Sequence, residues 1–199
     1  MQCHIITKKD SQVPTRLALL LNKEFPEIAA AGNLDILADS NQLTGLFCSR
    51  KCPGSLILPA FDYVTALRDA GKTVISGFHA EMEQECLKML LRGSQPVIIC
   101  PARSIHNMRV PDNWKIALAA NRLLILSPFE KNHKRMTAKL AEQRNRFVAA
   151  LSDELFVIHA GNRTGTFTLA VETMRVGKRI FTLKDAENQA LIEAGAVAV

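Results

Sequence analysis

Aromatic residues are scarce in this chain, at 6% of its 199 positions with one Trp and one Tyr, so its core must be packed from aliphatic side chains. No apolar run approaches the ~18 residues of a membrane-spanning helix, which excludes that class and a membrane partner. The five cysteines, Cys3, Cys48, Cys52, Cys86 and Cys100, are odd in number and include no CxxC pair. That argues against a disulfide framework; reduced thiols in a cytoplasmic protein are the expectation. Cys48 and Cys52 lack the further ligands a metal site needs, and no metal or cofactor is expected. The N-terminus shows no signal-peptide pattern. There is no Gly/Ser linker, internal repeat or low-complexity tract, so residues 1–199 read as a single domain. No facing carboxylate pair or Ser-His-Asp set calls for catalysis, and no catalytic residue is assigned.

What is present is a chain that is 48% hydrophobic with a formal net charge of +6. That fraction supports a sizeable core and excludes disorder. The charge permits a nucleic-acid or nucleotide partner without demanding one.

Residues 1–42 are the least legible and read as an N-terminal extension packed on the core. Cys3–Thr7 fits an edge strand, and Thr15–Phe25 carries Leu17, Leu20 and Leu21 on one helical face. From Leu43 the pattern becomes regular. Strands are expected at Leu43–Cys48, Thr73–Ser76, Pro96–Cys100, Leu123–Leu126, Leu155–Ile158 and Arg179–Leu183. Helices are expected at Leu56–Ala70, His79–Leu91, Asn113–Ala119 with Asp112 as cap, His133–Leu151 and Glu187–Ala194. Ala196–Val199 reads as a terminal strand. Strands alternating with helices imply a mostly parallel sheet covered on both faces.

The stretch Gln143 to Phe181 is the most informative. Two apolar runs flank a polar loop, Gly161 to Gly165, that opens a helix, which makes a βαβ unit. The loop leaving the carboxyl end of a strand is where such folds bind ligands, and a helix start suits an anion, with phosphate foremost. Asn162, Arg163, Thr164, Gly165 and Thr166 are the candidates there. Thr164 also fits as a plain N-cap and Gly165 as a tight-turn glycine. Ser49 and Arg50 follow the first regular strand and should reach the same sheet edge. Ser76 and Gly77 form another strand-to-helix corner. Lys131, His133, Lys134, Arg135, Lys139, Arg144 and Arg146 are read as one basic helix face, against which only Glu142 stands, or else as a solvated surface.

These motifs together resemble the DNA-processing protein A family, also called Smf. Cys48-Ser49-Arg50 stands where that family has Gly-Ser-Arg, and Val74–Phe78 matches a strand ending in Ser-Gly-Leu. Arg144-Asn145-Arg146 with Phe147–Ser152 matches Arg-Asn-Arg-Ile-Ile-Ala-Gly-Leu-Ser. Thr164-Gly165-Thr166 and Gly177-Lys178-Arg179 match Ser-Gly-Ser and Gly-Arg, and Asn188–Ala196 resembles the closing segment. The resemblance runs from about Gln12 to Val199, without the winged-helix tail. It implies an extended Rossmann-like three-layer α/β sandwich. It also implies single-stranded DNA binding, loading of a RecA-type recombinase in DNA uptake and recombination, a homodimer and no catalysis. Arg50 would contact phosphate, and Arg144, Arg146 and Thr164–Thr166 would line the pocket, with Asn145 inside the matched motif.

Three departures stand out. Cys48 replaces a glycine, and His159 replaces an acidic residue. After Ser76-Gly77, the family's arginine, glycine, aspartate and histidine are replaced by Ala80, Glu81, Glu83 and Leu87. Glu81 and Glu83 should therefore repel phosphate and weaken DNA binding. The alternative is a nucleotide sensor or a nucleoside-monophosphate phosphoribohydrolase of a related Rossmann-like fold. Those hydrolases carry Gly-Gly-x-Gly-Thr-x-x-Glu. Here Gly165-Thr166 is followed at the glutamate position by Leu169, and Glu172 lies nearly one helical turn further on.

Overall fold

Short runs of buried aliphatic residues, bounded by polar turns, set the sheet. In the computed structural model, which describes residues 3–10, 13–21 and 25–199, the strands are β1 His4–Thr7, β2 Glu27–Gly32, β3 Leu43–Cys48, β4 Thr73–Ser76, β5 Val97–Ile99, β6 Leu123–Ser127, β7 Glu154–His159, β8 Arg179–Thr182 and β9 Val197–Ala198. They form one sheet in the order β1-β2-β6-β5-β4-β3-β7-β8-β9. From β6 to β9 every pairing is parallel. β2 runs antiparallel to β6 and β1 antiparallel to β2.

The helices are α1 Thr15–Leu20, α2 Ile57–Asp69, α3 Glu81–Leu91, α4 Asp112–Ala119, α5 Ala138–Leu151, α6 Gly165–Arg175 and α7 Gln189–Glu193. Side chains alternate across the pleat and so divide the core in two. Ile75, Ile98, Leu124, Leu155 and Val157 face Leu17 of α1, Phe147 and Val148 of α5, and Leu169 of α6. Val74, Val97, Ile99, Phe156 and Ile158 face Ala60 and Val64 of α2, Met82 and Leu90 of α3, and Ala117 of α4. This is the expected three-layer sandwich with a mostly parallel sheet. A strand buried on both faces must be apolar throughout, which is why β3, β5, β6 and β7 read as continuous runs.

Several expectations need correction. β2 was not expected at all. Its sequence, EIAAAG, has a helix-favouring alanine run, but Ala29, Ala30 and Ala31 are buried and pair with β6. Tertiary pairing overrides propensity there. The expected helix over 133–151 begins only at Ala138, because Thr137 caps it by accepting from the Leu140 N–H. Residues 131–136 are turns and irregular chain, so the basic residues upstream do not share a helix face with Arg144 and Arg146. Asp112 is the first residue of α4 rather than its cap, and it pairs with Lys115. The expected helix Thr15–Phe25 is seen over Thr15–Leu20, and its positions 22–24 lie outside the described residues.

Because β6, β5, β4, β3 and β7 are parallel, the loops after them line a single edge of the sheet. Cross-loop hydrogen bonds continue the ladder there. The Ser49 N–H donates to the His159 carbonyl at 2.8 Å and the Cys100 N–H to the Ser76 carbonyl at 2.8 Å. The β3–β7 register shifts at this point, with Cys48 opposite His159. Such an irregularity re-aims the side chains that follow it.

Candidate functional site

The carboxyl edge of β3, β4 and β7 carries two adjoining hollows of about 550 and 870 Å³. Arg50, Lys51, Ala141, Asn145 and Thr166 line both, which makes them one cleft. One wall is the start of α6. Thr164 caps that helix: its hydroxyl accepts from the Phe167 N–H at 3.3 Å and donates to the Gly161 carbonyl at 2.7 Å. The Ser49 hydroxyl lies 3.3 Å from the same oxygen, so the β3 and β7 loops are tied together. Arg163 adopts a left-handed backbone conformation at φ 62°, an uncommon state for a residue with a side chain. Both readings of this loop hold at once, since Thr164 is a cap and the helix start opens onto the cleft.

Arg50, Lys51 and Arg163 have no salt-bridge or hydrogen-bonding side-chain partner among the described residues, and all three are exposed. They face the cleft on either side of the α6 start. Arg146, also on the rim, is held by Glu142 at 3.0 Å. Lys51 was not singled out from the sequence. Its adjacency to Arg50 in the same short loop was the available signal.

The acidic corner behaves differently from expectation. Glu83 is buried, and its carboxylate accepts from the Cys48 N–H at 3.0 Å, the His79 N–H at 2.9 Å and the Ala80 N–H at 3.3 Å. It caps α3 and pins the end of β3 in one stroke. Of the two expected repellent carboxylates, only Glu81 is exposed in the cleft. Glu83 faces inward, where its charge also bears on Arg144.

Arg144 is buried, at 4% exposure. Its Nη1 donates to the Cys100 carbonyl at 3.1 Å and its Nε to the Asn145 side-chain oxygen at 2.8 Å. Burial pulls its pKa below the ordinary value while the Glu83 carboxylate opposes that, and an arginine keeps its charge under such a shift. A Cβ on Gly77 would overlap this guanidinium, so any side chain there must displace the arginine from its place. Ser76 is buried as well, and its hydroxyl accepts from the Phe78 N–H. Ser76 and Gly77, expected among the binding residues, therefore line neither hollow and act in packing, while Arg144 reaches the cleft lining from beneath. Nη2 of Arg144 makes no hydrogen bond among the described residues. Asn162 is exposed and does not line either hollow. Ser49, Arg50, Asn145, Arg146, Arg163, Thr164, Gly165 and Thr166 are brought together on its walls.

His159, on the cleft side of β7, is buried and its Nδ1 meets the Asn188 side-chain oxygen at 3.2 Å. The Asn188 amide nitrogen donates to the Ile158 and Leu183 carbonyls, so its oxygen must be the acceptor. His159 Nδ1 therefore carries the proton, and the ring is fixed as part of the frame. Leu169, at the position where a phosphoribohydrolase has its glutamate, is buried in the core. Glu172 is exposed on α6 at the cleft rim. Among the described residues no group of three or more His, Cys, Asp or Glu could hold a metal ion, and no helix is long and apolar enough to cross a membrane.

The fold and the site together define a Rossmann-like α/β protein with a basic cleft at the carboxyl edge of its sheet. Residues 4–199 match the family model of DNA recombination-mediator protein A, and the chain belongs to that family. Comparison with curated proteins finds no match. Among solved structures, DNA processing protein A from Streptococcus pneumoniae superposes with a TM-score of 0.79 at 20% identity, over 98% of this chain and 70% of that one. DNA processing protein A from Helicobacter pylori, described for its single-stranded DNA binding mode, gives 0.77 at 20% identity, over 99% and 90%. A molybdenum cofactor binding protein from Rippkaea orientalis shares the fold more distantly, at 0.54 and 14% identity, over 81% and 91%.

Proposed function

We propose that this protein binds single-stranded DNA, without catalysing a reaction on it, as a step in DNA recombination. The observation that carries the reading is the placement of three unpaired cations, Arg50, Lys51 and Arg163, around the open N-terminus of α6. Backbone N–H groups at a helix start and arginine forks are both suited to phosphate. Family membership gives the process, and the Helicobacter pylori relative's single-stranded DNA binding supports the ligand. Loading of a RecA-type recombinase in the cytoplasm, by a homodimer built from residues 1–199 as one domain, completes the proposal.

Fluorescence anisotropy with labelled oligothymidine tests it, with a nucleoside monophosphate measured alongside. Single strands lose affinity with a slope of roughly −0.7 per phosphate neutralised, so three cations give about −2 in log affinity against log salt. A flat salt dependence, or competition by the mononucleotide at equal concentration, would assign the cleft to a small nucleotide instead.

A further inference from the structure

Two side chains of the cleft have their protons committed elsewhere. Ser49 and His159 are each 7% exposed, and both line the larger hollow. The Thr164 hydroxyl gives its one proton to the Gly161 carbonyl and accepts from the Phe167 N–H. The Ser49 hydroxyl, 3.3 Å from that oxygen, must therefore donate to it and keeps only lone pairs for the cleft. His159 is fixed in the same sense. Its Nδ1 proton goes to the Asn188 side-chain oxygen, so Nε2 carries a bare lone pair. Nε2 has no partner among the described residues and is not sealed from solvent. Gly161 leaves the approach to it open: a Cβ there would stand 3.7 Å from Nε2 and 3.3 Å from the Thr164 methyl.

We propose that Ser49, Gly161 and His159 form a niche that seats a nucleobase by its exocyclic amino group, so that the cleft prefers amino-bearing bases to thymine or uracil. The inference rests on the single-stranded DNA reading of the cleft. The cations on the walls offer donors, whereas Ser49 Oγ and His159 Nε2 offer acceptors alone. A phosphodiester has no proton to give them; within a DNA strand the donors are base N–H groups. Cytosine presents its N4 amino group where thymine and uracil present O4, an acceptor. An O4 set against Ser49 Oγ or His159 Nε2 opposes lone pair to lone pair and leaves a nearly buried group unpaired. A site built to hydrogen-bond one group rejects the analogue that lacks it. Phosphate contacts are the same for every base, so this preference is added to a sequence-independent affinity.

The experiment uses the full chain and labelled oligodeoxycytidine and oligodeoxyuridine of equal length, at mildly alkaline pH, where cytosine is unprotonated. The two oligomers carry the same phosphates and differ along one base edge. Fluorescence anisotropy is expected to show tighter binding of the cytidine oligomer by about tenfold. The two salt dependences are expected to run parallel, because the same phosphates are neutralised. Gly161→Ala lays a methyl beside Nε2 without touching its ring's bond to Asn188, and it brings the ratio of the two affinities toward one. His159→Phe and Ser49→Ala lower the ratio as well. Taking the ratio cancels any loss of backbone contact common to both oligomers. Glu172→Gln removes an exposed carboxylate at the cleft rim and keeps the parent ratio. Equal affinities in the parent, a preference for uridine, unequal salt slopes, a ratio untouched by both Gly161→Ala and His159→Phe, or one abolished by Glu172→Gln overturns the inference and leaves single-stranded DNA binding in place. Binding of neither oligomer overturns both.

Discussion

The guanidinium of Arg144, on α5, occupies the space that a side chain on Gly77 would fill. From there Nη1 reaches the Cys100 carbonyl, so one side chain fastens the ends of β4 and β5 to the helix above them. The Ser76-Gly77 corner and the Arg-Asn-Arg segment are thus two halves of a single support, although they lie far apart in the chain. Of that support only Arg144 reaches the cleft lining, and the exposed cations on the walls are separate from it.

Gly77→Ala should therefore damage stability before it touches any ligand. The added methyl displaces the buried guanidinium and breaks its hydrogen bond to the Cys100 carbonyl. A loss of about 2–4 kcal/mol is expected, read as a fall in Tm or in the denaturant midpoint. In the background of Arg144→Ala the same substitution should cost much less, because the obstructing group is gone. Equal costs in both backgrounds would contradict the packing.

Glu83→Gln tests the second support. The amide keeps one acceptor oxygen where the carboxylate used both, for the N–H groups of Cys48, His79 and Ala80. It also removes the negative charge opposite Arg144. Leaving a buried donor unpaired costs about 1–3 kcal/mol, so a clear drop in the midpoint of chemical unfolding is expected. Unchanged stability would mean that water replaces the lost acceptor.

The sheet was readable because a strand buried on both faces has to be apolar along its whole length. β3 and β4 were delimited to the residue, and the βαβ unit around Gly161–Gly165 was placed correctly. β2 was not readable, since three alanines carry no strand signal until β6 pairs with them. In the site, residue types showed which side chains could bind an anion but not which were already committed. Arg144 and Arg50 look alike in sequence, yet one is buried on a carbonyl and the other is free. Glu83 and Glu81 differ in the same way. Burial and partner choice depend on tertiary packing, and local sequence does not encode them.

That division predicts a separation of phenotypes. Arg50→Ala should lower affinity for oligothymidine by about tenfold, as loss of a charge-assisted contact implies, and reduce the salt slope by ~0.7. Its Tm should stay within the small range usual for exposed substitutions. Arg144→Ala should do the reverse in its first effect, lowering Tm markedly because the Cys100 carbonyl and Glu83 lose their partner. Anisotropy and thermal melts on the two variants decide the matter, and a large Tm loss for Arg50→Ala would sink the distinction.

Glu81 is the remaining question of charge in the cleft. It is exposed, it lines the same hollow as Arg50 and Lys51, and no salt bridge engages it among the described residues. Its first-turn position favours α3 through the helix dipole, a gain of a few tenths of a kcal/mol at an exposed site. A phosphate entering the cleft would meet its field across water, where an exposed charge acts modestly and is screened by salt. Glu81→Gln should therefore tighten oligothymidine binding by roughly two- to fivefold at low ionic strength, with the gain shrinking toward one as salt rises. Ala80→Arg combined with Glu81→Gly should tighten it further, because a cation replaces a neutral residue at the same corner. Glu83→Gln should give no such gain, since its charge is spent inside the fold. The measurement is anisotropy across a salt series for all three variants. If Glu81→Gln leaves affinity unchanged at low salt while Arg50→Ala weakens it, the strand passes along the Arg50–Arg163 side of the cleft and never approaches α3.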